Sequence, residues 1–189
     1  YAKTLAERAA WDFVAAMPEA NRPRLMTVNP ALVFGAVFTK AHVRTSPVFV
    51  HDLLSGTFPA CPAFQFAIVA AEDVAQAHVS GLMNASANGR YILAGEHVWL
   101  QQLSKRLATL YPSHRFPARR LPNLFMYLIA LFDARVDKVT LDRMLGVETK
   151  FDNRKSHEEL GIDYEPLDET LRRTVDSLVA GGWSKPRPR

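Results

Sequence analysis

Few residues in this 189-residue chain have the types and spacing that chemistry demands. A serine nucleophile of the Gly-x-Ser-x-Gly kind is absent. The six histidines are scattered, and no pair has the i, i+4 or carboxylate spacing of a zinc site, so no metal is expected. Cys61 is the single cysteine and cannot pair internally; it reads as a buried or inert thiol and fits a reducing compartment. The nine glycines never form the close set with which backbone amides cradle a pyrophosphate at a helix start. Glu72-Asp73 falls at a helix start, where paired acids most simply cap the helix and complement its dipole. Lys3, taken alone, is a solvated first-turn lysine.

Composition narrows the class. At 48% hydrophobic and 22% charged, the chain is an ordinary globular domain, which excludes disordered, collagen-like and coiled-coil proteins. The net charge of +4 owes most of its surplus to Lys185, Arg187 and Arg189. Without them a surplus of about one charge is left, too little for a nucleic-acid footprint. Residues 183–189, with Pro186 and Pro188 among those cations, read as a disordered tail. The most apolar stretch, residues 121–132, contains Pro122 and Asn123 and is far shorter than the roughly 20 residues of a membrane span. A core or interface helix is expected there, with no membrane partner and a cytoplasmic location. The opening Tyr-Ala-Lys-Thr-Leu-Ala-Glu-Arg has charges where a signal peptide is apolar, and suggests a chain that begins mid-protein.

The elements that must position any site alternate in type. Leu5, Ala6, Ala9, Ala10, Phe13, Val14 and Met17 make one helical face over residues 2–17, which Pro18 ends. Residues 25–28 form a short strand, and Asn29-Pro30 turns the chain away from regular pairing. Ser46-Pro47 predicts a hydroxyl-capped helix over residues 47–55, with Gly56 at its C-terminal cap. A buried strand over 66–69 leads to a helix over 73–84 with Val74, Ala77, His78 and Leu82 on one side. Asn88-Gly89 turns into a strand over 90–94. Leu100, Leu103, Leu107 and Leu110 mark another helix, Arg115-Phe116 begins a short strand, and an apolar helix follows Pro122. The last helix spans 167–180, with Leu171, Val175 and Leu178 inward. The order is mixed α/β with a helix-rich second half.

Several segments together resemble a family. Lys3-Thr-Leu-Ala-Glu-Arg-Ala-Ala-Trp11, Thr27-Val-Asn-Pro-Ala-Leu-Val-Phe-Gly35, Glu72-Asp-Val-Ala-Gln-Ala-His78, Gly89-Arg-Tyr-Ile-Leu-Ala-Gly95, and Phe151-Asp-Asn-Arg-Lys155 followed by Pro166-Leu-Asp-Glu-Thr-Leu171 are similar to the extended short-chain dehydrogenase/reductases. Within them the chain resembles the branch of dihydroflavonol reductases and aldehyde or ketone reductases. Ala36 stands where that family has a proline, and Ala70 where it has an aspartate. The resemblance implies the C-terminal part of a Rossmann-type doubly wound sheet plus a smaller helix-rich substrate-binding lobe. Residues 1–35 would close the dinucleotide-binding domain, and 36–182 would form mainly the substrate lobe with strands returning to that sheet.

The same resemblance implies site residues. Lys3 matches the lysine of the family's Tyr-x-x-x-Lys signature, whose tyrosine would lie two positions before residue 1. Tyr1 is two residues from Lys3 and fails the spacing, because i and i+4 share a helix face and i and i+2 do not. Lys3 would be catalytic and also bind the cofactor, as the cation that lowers a phenol's pKa of about 10 so that it can deliver a proton to a developing alkoxide. Pro30, Val33 and Thr45 would contact the cofactor, NADP or NAD, with NADP favoured. Phe34, Phe38 and Phe49 would form an apolar substrate wall, although stripes of Phe and Leu are commonly core.

The function implied is hydride transfer between a nicotinamide cofactor and a small-molecule aldehyde, ketone or alcohol, in a full-length monomer or homodimer. A nucleotide-sugar epimerase or dehydratase would need phosphate ligands in a segment that offers Phe34, Val37, Phe38, Val48 and Phe49. A non-catalytic remnant, with strand edges exposed, is the third alternative.

Overall fold

A computed structural model of the chain describes residues 2–131 and 138–189. Tyr1 and Phe132 lie outside the described residues. Helix α1 spans Ala2–Ala15, two residues short of the expected end. Met17 N–H bonds back to Val14 at 3.2 Å, and the Arg22 guanidinium caps the carbonyls of Ala15 and Met17 at 3.0 and 3.1 Å. The apolar face of α1 is uncovered: the helix buries no side chain, and Phe13 is 67% exposed.

Strand β1 spans Met26–Pro30, so Asn29 and Pro30 finish the strand instead of following it. Proline has no N–H to give a ladder, and the strand ends on it. Ala31 N–H still bonds Leu93 O at 2.8 Å, after which β2, Leu32–Phe34, begins in a different sheet. Helix α2, Val48–Ser55, starts at Pro47 with no side-chain cap, so Ser46 does not cap it; Gly56 closes it at φ +75° as its position implied. Strand β3, Gln65–Ala70, is buried from Phe66 onward, as expected of a strand with both faces covered. It leads directly into α3, Ala71–Met83, whose third residue Asp73 returns its carboxylate to the Ala70 backbone. Of the four residues expected on one side of α3, Ala77 is buried and Val74 half-buried, while His78 and Leu82 are exposed.

Strand β4, Gly89–Leu93, lies parallel to β1, with Thr27 opposite Arg90 and Pro30 opposite Leu93. Strand β5, His97–Trp99, runs antiparallel to β3, giving the order β2-β3-β5. Helices α4, Leu100–Leu110, and α8, Leu167–Ala180, pack with α2 around Phe34, Ile68, Leu107 and Leu171 in one core. A second core gathers Val69, Ala77, Tyr91, Leu93 and Ile162 beneath α7, Arg154–Leu160. Between α4 and α7 lie α5, Asn123–Ala130, and α6, Lys138–Met144.

Arg115-Phe116 makes no strand; Arg115 N–H instead bonds Arg187 O at 2.8 Å, and His114 bridges Pro188. The tail expected to be disordered therefore packs back on the chain, because its extended proline-rich backbone still offers carbonyls and N–H groups to the segment after α4. The architecture is α/β: the C-terminal part of a Rossmann-type sheet with a helix-rich lobe. No helix among the described residues is long and apolar enough to cross a membrane.

Candidate active site

Parallel strands of an open α/β sheet leave a crevice beyond their C-terminal ends, and that is where ligands sit. β1 and β4 end level with each other, at Pro30 and Leu93. Beside this end opens a cleft of about 350 Å³. Helix α1 contributes Lys3, Thr4 and Glu7 to it, and the end of β1 with the residue after it contributes Asn29, Pro30 and Ala31. β4 adds Arg90 and Ile92, and Phe151 closes a further side.

Lys3 stands exposed on the first turn of α1, with no hydrogen-bond or ion-pair partner among the described residues. Glu7, one turn on, is the most heavily bonded group in the cleft. Its Oε1 accepts Arg90 Nε at 2.8 Å, Thr27 Oγ1 at 3.1 Å and Trp11 Nε1 at 3.3 Å. The Arg90 guanidinium, with help from the Trp11 and Thr27 donors, holds this carboxyl below the usual glutamate range. On the far side, Phe151 stacks on His97 with ring centroids 5.8 Å apart, and its N–H donates to His97 Nε2 at 3.1 Å. That bond fixes the ring bordering the cleft and requires an unprotonated Nε2.

Of the residues expected to form the site, the structure brings Lys3 and Pro30 into one cleft. The others lie elsewhere. Val33 packs part-buried against the second core. Thr45 is exposed, and its hydroxyl donates to His42 O at 2.7 Å within its own turn. Phe34 is 1% exposed in the first core, since the alternation of β2 turns its ring onto α8. Phe49 leans on Phe66, centroids 4.6 Å apart, and Phe38 is in solvent. The expected wall of three phenylalanines is thus one core ring, one part-buried ring packed on that core and one exposed ring, and the apolar residues bordering Lys3's cleft are Pro30, Ala31, Ile92 and Phe151. Glu7, Arg90 and Phe151 lie within the motifs that carry the family resemblance, which assigns them no role; the i, i+4 spacing of Lys3 and Glu7 is the available signal.

Known proteins share both the sequence and the fold. The chain is 31% identical over 181 residues to cinnamoyl-CoA reductase CAD2 of Medicago truncatula, covering 93% of this chain and 46% of that protein. An anthocyanidin reductase of Vitis vinifera is 34% identical over 123 residues, 61% of this chain and 35% of that protein. The crystal structure of Gre2 in complex with NADPH from Candida albicans superposes with a TM-score of 0.66 at 26% identity, covering 93% of this chain and 49% of that one. No protein-family model matches the chain. It spans about half the length of the curated relatives it matches. On this shared sequence and fold, the chain belongs to the extended short-chain dehydrogenase/reductases, in their dihydroflavonol reductase-like branch.

Proposed function

We propose that this chain supplies the lysine and the helix-rich lobe of an NADP-dependent reductase that converts an aldehyde or ketone to an alcohol, or runs the reverse oxidation. The observation that carries the proposal is the Lys3 ammonium, without a partner among the described residues, bordering one cleft with the Asn29-Pro30 strand end. The relatives named above are reductases, and one solved neighbour is an NADPH complex.

The residues present fit one margin of a nicotinamide site. A free cation on a helix and a proline-stiffened backbone edge can hold ribose hydroxyls and a carboxamide, as Lys3 and Pro30 would. The nicotinamide, when bound, supplies or takes the hydride. Lys3 then does two things with one charge: it donates hydrogen bonds to the sugar, and it lowers the pKa of the tyrosine that precedes it by one helical turn in the family signature. Ile92 and Phe151 keep water from the apolar side of the cleft, where a developing alkoxide is best met by fixed groups. Val33 and Thr45 border no part of this cleft and have no role in the proposed chemistry.

The test is turnover by the reductase that contains this chain, followed as NADPH consumption with an aromatic aldehyde. Lys3→Met should lower kcat by about two to four orders of magnitude at saturating cofactor, the usual contribution of a tuned general acid. An unchanged rate in that variant, or preference for a nucleotide sugar over the aldehyde, would overturn the proposal.

A further inference from the structure

Helix α1 carries Lys3, and within this chain none of its side chains is buried, so among the described residues its polar contacts are what tie it to the strands. Its far end is fastened by the Arg22 guanidinium. Near Lys3, all described polar contacts from α1 to the strands converge on a single atom, Glu7 Oε1. Thr27 approaches it from β1, Arg90 from β4, and Trp11 from the next turn of α1 itself. Thr27 and Arg90 are opposed in the parallel register, so the two strand donors reach the same carboxylate side by side. Glu7 is four residues from Lys3, on the same helix face, and borders the same cleft.

We propose that Glu7 is the positioning residue of this site: its carboxylate clips the first turns of α1 to β1 and β4 and so fixes where the Lys3 ammonium stands above the Asn29-Pro30 strand end. This rests on the role given to Lys3 above. A carboxylate suits the task because it is all acceptor, with room for several donors, and its bond to Arg90 is charge-assisted. Glutamine keeps an oxygen for Thr27 and Trp11 but loses the charge facing Arg90. Alanine loses all three bonds. A lysine displaced by about 1 Å can cost up to a hundredfold in rate, and its hold on the neighbouring tyrosine's pKa weakens with distance.

The experiment compares pH profiles of aldehyde reduction with NADPH for the reductase containing this chain and its Glu7→Ala, Glu7→Gln, Thr27→Val and Lys3→Met variants. In the reducing direction the tyrosine must be protonated, so its lowered pKa sets the alkaline limb of kcat. Glu7→Ala should lower kcat about tenfold to a hundredfold and move that limb up by about one pH unit, with Glu7→Gln recovering most of both. A loss of folded protein alone would scale the profile without moving it. An alkaline limb unmoved in Glu7→Ala, while Lys3→Met is crippled, overturns the role of Glu7 and leaves that of Lys3 standing. Wild-type behaviour of Lys3→Met overturns the role of Lys3 and the present proposal with it. Should Glu7→Ala fail to fold, Thr27→Val, which removes one donor, decides: a smaller upward shift supports the proposal and an unmoved limb overturns it.

Discussion

Thr174 on α8 accepts the backbone N–H of Gly35 at 3.0 Å, joining positions 139 residues apart. Its hydroxyl donates in turn to Thr170 O at 2.8 Å, and Ser177 accepts the N–H of Val37 at 2.8 Å. The chain leaving β2 has no strand partner for these donors, so α8 satisfies them with side-chain oxygens in a buried place.

Thr174→Val keeps the shape of the side chain and removes its acceptor, leaving the Gly35 N–H buried and unbonded. The expected cost is about 1–3 kcal/mol of stability, the penalty for an unpaired buried donor. Urea unfolding measures it, and Thr174→Ser, which keeps the oxygen, should recover most of the loss. Equal midpoints for the valine and serine variants would show that the bond contributes nothing.

Asp73 gives a second test, through pH. It is 8% exposed, accepts the Glu165 N–H at 3.2 Å and lies near the charges of Glu165 and Glu72, which Arg173 bridges. Burial is the largest influence and pushes its carboxyl above the usual aspartate range, against the backbone donors of Glu165 and Ala70. A raised pKa means that the folded state holds this proton more tightly than the unfolded state. Its contribution is therefore most favourable below the unfolded pKa, falls as pH rises toward the folded pKa, and stays low above it. Asp73→Asn removes that decline while keeping an oxygen for the Glu165 N–H. The variant's melting temperature, relative to the parent, should rise between about pH 3 and pH 7. A relative stability that falls over that interval would mean that the backbone donors outweigh burial.

The sequence carried some of this site plainly and hid the rest for identifiable reasons. Lys3 and the Asn29-Pro30 strand end sit in short motifs, and the family resemblance carried by those motifs, not their spacing, is what pairs them. Glu7 with Arg90 was not legible, because 83 residues separate them and only the parallel pairing of β1 with β4 brings them together. Phe34, just after the Asn-Pro segment, read as a substrate wall, whereas the two-residue period of β2 turns it into the core. Phe151 reaches the cleft through its stacking on His97, a contact that leaves no periodic trace. Among the elements, β5 has three residues and α7 is charged along most of its length up to Leu160, so neither shows the apolar pattern by which α4 and α8 were legible.

The clip on α1 can also be watched without any turnover. Trp11 Nε1 donates to the same Glu7 oxygen that Arg90 and Thr27 hold, so its indole senses whether that carboxylate is ionised. The Glu7 carboxyl is held below the ordinary glutamate range, first by the Arg90 hydrogen bond and then by the donors Trp11 and Thr27. A depressed folded pKa contributes stability that is present above the unfolded pKa and is lost as pH falls through the folded value. The docking of α1 should therefore persist through the pH range where an ordinary glutamate, at about 4.3, takes up its proton, and fail only in more acid solution. The fluorescence difference between the parent chain and Trp11→Phe isolates this indole from Trp99 and Trp183, and its acid midpoint reports the transition. Arg90→Ala removes the largest cause of the shift and should bring the midpoint back up toward the ordinary range, with Thr27→Val producing a smaller move in the same direction. A midpoint already at the ordinary value in the parent chain, or one indifferent to Arg90→Ala, would show that α1 is held by something other than the Glu7 carboxylate.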